Sequence, residues 1–134
     1  MSQSSPRPRS AAALVALAWL SGCAGPLSGA LDEFRDARYP EAVIELRRLE
    51  PESRGWSARE RARYALYRGL THLALGDARP ADLWLGLAKA LAEAHPGALD
   101  AAERGRLLSG WQSLGHMPGE ESVRLVQRRI ASGT

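Results

Sequence analysis

The thiol of Cys23 has the most distinctive chemical setting in this sequence. It is the only cysteine among 134 residues, and it directly follows Leu20, Ser21 and Gly22. A lone cysteine has no partner for an intramolecular disulfide, and its thiolate is a good nucleophile. The small Ser21 and Gly22 would let a processing enzyme fit closely against the chain at this point. The cysteine count therefore predicts that Cys23 forms no disulfide within the chain.

Other groups capable of acid–base or metal chemistry are scattered. The acidic pairs Asp32/Asp36 and Glu41/Glu45 stand four residues apart, and nearby arginines make them typical of solvated helix faces. No glycine-rich phosphate loop or G-x-S-x-G motif occurs in the sequence. The histidines have no spacing that places two on one helix face for a metal; they are His72, His95 and His116. The sequence predicts a protein that is not an enzyme and that binds no metal or cofactor.

The first 22 residues have the organisation of an export signal. Residues 1–10 are polar and contain Arg7 and Arg9, whereas residues 11–20 are apolar and uncharged. A helix of that apolar length spans about 15 Å, roughly half of a bilayer's hydrocarbon core, which is too short for a stable transmembrane helix. We therefore predict that residues 1–22 are a signal peptide that is removed.

The segment Leu20-Ser21-Gly22-Cys23 resembles the lipobox of bacterial lipoproteins. The resemblance implies that Cys23 is acylated, with chains such as palmitate, and that the bond between Gly22 and Cys23 is cleaved. Burial of the acyl chains at about 0.8 kcal/mol per methylene would hold the protein on a membrane. Ala24, in place of the Asp of retained lipoproteins, favours the outer membrane, facing the periplasm. The alternative is an ordinary signal peptide cut one or two residues away, which would release a soluble periplasmic protein.

The composition describes one folded helical domain after the leader. The chain is 45% hydrophobic and 25% charged, and it is rich in Ala, Leu, Arg and Glu, which favour helix. Without Arg7 and Arg9, 16 of its 18 basic residues remain against 15 acidic ones. A mature chain so close to neutral has no nucleic-acid footprint. We predict no nucleic-acid partner.

Helix start and stop signals divide the rest of the chain. The sequence predicts a lipidated tether over residues 23–30, an all-α domain over 31–130 and a frayed tail over 131–134. Capping boxes are expected at Ser57 and Asp100, and Pro51 is expected to end the second helix and begin a linker. The six predicted helices run over about 29–38, 40–50, 57–75, 80–95, 100–114 and 120–130.

Small and apolar residues in the third and fourth predicted helices resemble the tetratricopeptide consensus; they are Ala65, Gly69, Gly76, Ala81, Leu85 and Ala88. The resemblance implies about three antiparallel helix hairpins, with Gly69 and Ala81 allowing close approach of two helices. A similar turn and alanine recur upstream around Ala42, while the downstream unit departs from the pattern at residues 117–119. A generic helical bundle is the alternative.

In tetratricopeptide proteins the first helix of each unit lines a concave groove. Carried over to this chain, the groove residues are Arg63, Leu66, Leu70, Leu73, Ser109 and Gln112. Such an apolar groove suits an amphipathic helix or an extended peptide. The alternative is that a terminal helix of the same chain covers these leucines.

These features predict an envelope lipoprotein that acts as an interaction adaptor for a protein partner. A second hypothesis is a periplasmic protein that binds peptidoglycan or a small apolar molecule. It would show a closed pocket with convergent polar groups, whereas an adaptor would show an open surface. A small accessory enzyme is a third hypothesis and would require a buried, perturbed titratable pair.

Overall fold

A computed structural model describes residues 25–116 of the chain. Within these residues the secondary structure is entirely helical, which confirms the predicted all-α class. The sixth predicted helix, the tail, and the processing site at Gly22 and Cys23 lie outside the described residues. The helices are α1 (Ser28–Arg35), α2 (Tyr39–Ser53), α3 (Ala58–Ala74), α4 (Ala78–Ala94) and α5 (Ala101–Ser113).

Local capping signals explain where α3 and α5 begin. The Ser57 hydroxyl accepts the backbone N–H of Glu60 at 3.2 Å. At α5 both halves of the capping box form, because Asp100 accepts the Glu103 N–H at 2.8 Å and the Glu103 carboxylate accepts the Asp100 N–H at 3.0 Å. Gly76 follows α3 with a positive φ of 79°, as expected for a glycine after a helix end.

The predicted end of α2 was wrong. The helix continues through Pro51 to Ser53. Pro51 lies in the last turn, so its missing N–H costs only one backbone hydrogen bond of the helix. The buried Ser53 donates its hydroxyl to the carbonyl of Glu50 at 2.7 Å, and Leu49 packs against the core. These contacts hold the final turn, and the linker is shortened to residues 54–57.

The folded domain also begins earlier than predicted. Leu27 is 1% exposed, and Ala30 is similarly buried in the core. Both residues belong to the predicted tether of residues 23–30, but Leu27 is the N-cap of α1, Ala30 lies within that helix, and both belong to the hydrophobic core. The tether therefore overlaps the domain from Leu27 onward, because short apolar residues here contribute to the core.

Helix α3 is the centre of the described structure. It makes its most extensive contact with α4 and also contacts α1, α2 and α5. A Cβ atom built on Gly69 would lie 2.7 Å from Leu85 Cγ and 2.9 Å from the Leu85 backbone nitrogen, so α3 and α4 cross where only glycine fits. Leu85 also meets Gly110 of α5, where an added Cβ would lie 3.1 Å from Leu85 Cδ1. Leu85 thus fills the space between α3 and α5.

None of the helices within residues 25–116 combines the length and the apolar character needed to cross a membrane.

Candidate functional site

A wide, open cleft of about 520 Å³ lies between α1, the start of α2, α3 and α5. Helices α1, α3 and α5 supply all but one of the residues that form its walls. The lining residues are Phe34, Arg35, Tyr39, Leu70, Leu73, Arg106, Ser109, Gly110 and Ser113. This cleft, which several helices share, is the candidate site.

The six predicted groove residues divide into two groups. Leu70, Leu73 and Ser109 line the cleft. Leu66 is fully buried and belongs to the core, because it lies on the face of α3 that neighbouring helices cover. Arg63 is paired with Glu103, and Gln112 is exposed on α5 outside the cleft lining.

Aromatic side chains that the sequence analysis did not identify form one wall of the cleft. The ring of Phe34 meets that of Tyr39 edge-on at 5.6 Å between centroids and that of Tyr67 at 5.3 Å. Such edge-to-face pairs favour a fixed arrangement of the rings. The sequence signal for Phe34 is its helical spacing from Leu31 and Ala37, which places the three residues on one face of the first predicted helix without indicating their partners.

The charges of the cleft lining are positive. Arg106 donates from Nη1 to the Tyr67 hydroxyl at 2.6 Å, which positions its guanidinium beside the aromatic wall. Arg35 forms an exposed pair with Asp32 at 3.2 Å. None of the described residues that line the cleft is acidic. The cleft thus combines an apolar floor with two cationic side chains at its edge.

An ion pair fastens α5 to α3 close to the cleft. Arg63 Nε lies 2.7 Å from Glu103 Oε1, and the two side chains are 20% and 5% exposed. Burial by itself would lower the pKa of Arg63, but the hydrogen bond and the charge of Glu103 raise that pKa above its usual value. Arg63 is therefore a structural residue that holds two walls of the cleft together.

His72 is a packing residue of α3. It is 2% exposed, and its Nδ1 lies 3.4 Å from the Asp77 carboxylate. Burial lowers the pKa of His72 below its ordinary value; the nearby charges of Arg68 and Arg47 act in the same direction, and Asp77 opposes them. The folded protein therefore favours the neutral imidazole.

This burial predicts a loss of stability in mild acid. The unfolded chain binds a proton on His72 near the ordinary pKa of about 6.5, whereas the folded chain binds it only at lower pH. The free energy of unfolding should therefore fall as the pH drops from 7.5 through 6.5 toward 5. Urea unfolding at several pH values would measure this change. A His72→Phe variant should lose less free energy of unfolding over the same pH range. An equal loss in both proteins would contradict the assignment of this pH dependence to His72.

Within residues 25–116, no group of three or more His, Cys, Asp or Glu side chains is placed to hold a metal ion.

Comparison with known proteins assigns this chain to no family. No protein-family model matches the chain, and neither a curated protein nor a solved structure matches it significantly. The cleft between α1, α3 and α5 is the candidate site on its own geometry.

Proposed function

We propose that this chain is an envelope lipoprotein whose helical domain binds a segment of another protein in the open cleft. The observation that carries the proposal is the shape and lining of the cleft, which is open and has Leu70, Leu73 and two aromatic side chains on its surface. Sites for small molecules enclose most of their ligand, whereas open apolar grooves accommodate helical or extended peptides. This contrast favours an adaptor over a protein that binds peptidoglycan or a small apolar molecule.

Two contacts support a tetratricopeptide-like arrangement as part of this proposal. Helices α1, α3 and α5, the first helices of the three proposed units, share the cleft, and α3 contacts both of the others. The close crossing at Gly69 and Leu85 joins α3 to α4, the second helix of the same proposed unit. Stacked helical units bury their apolar faces against neighbouring units in this way.

The proposed lipid anchor would lie close to the domain. Leu27, which is already buried in the core, is the fourth residue after Cys23. A fully extended chain of that length spans at most about 14 Å. We infer that acylation of Cys23 would hold the helical domain near the bilayer surface, at the periplasmic face of the outer membrane.

Mass spectrometry of the protein from native-host membranes tests the anchor. The mature chain is expected to begin at Cys23 and to carry acyl mass, and a Cys23→Ala variant should be unmodified and recovered in the soluble fraction. Burial of the acyl chains in the bilayer contributes about 0.8 kcal/mol per methylene, which attaches the protein to the membrane essentially completely. A wild-type chain without lipid would contradict the anchor and favour a free periplasmic protein.

A pair of charge substitutions tests the cleft. Leu73→Glu places a carboxylate on the apolar floor and should weaken partner capture by tenfold or more, since about 1.4 kcal/mol corresponds to tenfold and burying a leucine stabilises by about 2 kcal/mol. Leu83→Glu is the matched control, because Leu83 is exposed on α4 and lies outside the cleft lining. Each variant is crosslinked to its partner through the cleft while the protein is in membranes. The measurement is the amount of partner that each variant captures. Equal capture by both variants would exclude the cleft as the binding surface.

A further inference from the structure

A second depression, of about 310 Å³, lies between the end of α2, α3 and α4. It shares no lining residue with the cleft, and the proposed function makes no use of it. Its walls contain apolar, aromatic and charged side chains. The lining residues are Glu50, Ser53, Arg54, Arg61, Tyr64, Trp84, Leu87 and Leu91.

The apolar wall of this depression is held in place by fixed contacts. The Tyr64 hydroxyl donates to the Leu46 carbonyl at 2.7 Å, and the Tyr64 ring meets the Trp84 ring edge-on at 5.6 Å. Leu87 stands four residues from Leu91 on α4, and it is 43% exposed although it is a large apolar side chain. A ligand with an apolar body would cover Leu87 without rearranging the aromatic pair.

The lining of the depression carries more positive than negative charge. Glu50 is its one acidic lining residue, and the Glu50 carboxylate accepts a hydrogen bond from Arg68 Nη1 at 2.5 Å. Arg68 is buried and lies over the Trp84 ring at 4.1 Å, so it neutralises Glu50 from inside the fold. Within residues 25–116, the guanidinium groups of Arg54 and Arg61 form no ion pair. Two uncompensated cations therefore border an apolar wall.

We propose that this depression binds a small organic carboxylate with an apolar body. Arg54 and Arg61 would hold the carboxylate, because guanidinium groups match its planar geometry. The apolar body would pack against Trp84 and Leu87. The volume lies at the lower end of the range for small-molecule sites, so it fits a single aromatic ring or a short acyl chain. The proposal does not depend on the cleft or on the lipid.

A matched pair of probes tests this proposal. The full chain, labelled with ¹⁵N, is titrated with 4-phenylbutanoate and separately with its neutral analogue 4-phenylbutanamide. The indole N–H resonance of Trp84, identified with a Trp84→Phe variant, should shift saturably with the carboxylate. Two partly exposed ion pairs should make the carboxylate bind about tenfold more tightly than the amide. Equal affinity for the two probes, or a shift confined to the other tryptophans, would overturn the proposal.

Substitutions of the two arginines separate recognition of the anion from apolar binding. In an Arg54→Gln, Arg61→Gln double variant the carboxylate should bind no more tightly than the amide, while amide binding is unchanged. Because neither arginine forms an ion pair in the described structure, the variant should fold normally. Arg79→Gln, outside the depression on α4, should keep the full preference for the carboxylate. A double variant that retains the preference would show that these arginines do not bind the anion.

Discussion

Glu103→Ala is expected to lower the free energy of unfolding by about 3 kcal/mol, an unusually large effect for an acidic residue. The substitution removes a 2.7 Å ion pair with Arg63 and the half of the α5 capping box that satisfies the Asp100 N–H. The carboxylate is 5% exposed, and its removal leaves a largely buried cation without a partner. The loss of a cap alone costs about 1 kcal/mol, so most of the effect comes from the ion pair.

The control is a solvent-exposed ion pair of the same chain. Asp32 and Arg35 lie 3.2 Å apart with side chains 70% and 64% exposed, and Asp32→Ala should change the free energy of unfolding by no more than about 0.5 kcal/mol. Urea unfolding of the full chain, followed by circular dichroism, measures both variants. If Glu103→Ala cost no more than Asp32→Ala, the bond between α3 and α5 would have no structural importance.

Gly69→Ala should destabilise the protein by about 2 kcal/mol, although alanine is the better helix former. The new methyl group would lie 2.9 Å from the Leu85 backbone nitrogen, which cannot move without separating α3 from α4. Overpacking of this kind costs about 3 kcal/mol, and the gain in helix propensity returns about 1 kcal/mol. The steric cost therefore outweighs the gain in helix propensity.

Gly105→Ala is the matched control for the backbone effect. Gly105 is also helical, but a Cβ atom built on it meets nothing within 4 Å. This variant should gain about 1 kcal/mol of stability from helix propensity alone. The urea concentration at the midpoint of unfolding should thus fall for Gly69→Ala and rise for Gly105→Ala. A stabilised Gly69→Ala protein would mean that α3 and α4 do not cross as closely as the structure has them.

Much of the fold could be predicted because its signals are local. Bonds or backbone angles that involve only near neighbours in sequence mark the helix boundaries. They occur at the helix starts at Ser57 and at Asp100 with Glu103, and after the helix end at Gly76. The prediction that α2 ends before Pro51 was wrong because it also depended on a local signal alone. A local rule ends the helix at Pro51, but the helix continues to Ser53, which is buried and donates its hydroxyl to the Glu50 carbonyl.

The candidate site could be predicted only in part. The periodicity of α3 marks an apolar helix, and it does not state which of its faces another helix covers. Leu66 is buried, whereas Leu70 and Leu73, which continue the same pattern, line the cleft. Arg63 and Glu103 stand 40 residues apart, and their pairing depends on how α5 lies against α3.

By itself the sequence determined the all-α class and the capped starts of α3 and α5, because these depend on bonds between near neighbours in the chain, whereas the contact with Leu85 decided that position 69 needs glycine. The sequence also predicts an export signal and lipidation at Cys23. Only the tertiary structure decided the lining of the cleft, the second depression and the buried pair of Arg63 and Glu103. The physical reason is that α3 is surrounded by α1, α2, α4 and α5, and the positions of these neighbours determine which of its side chains meet solvent.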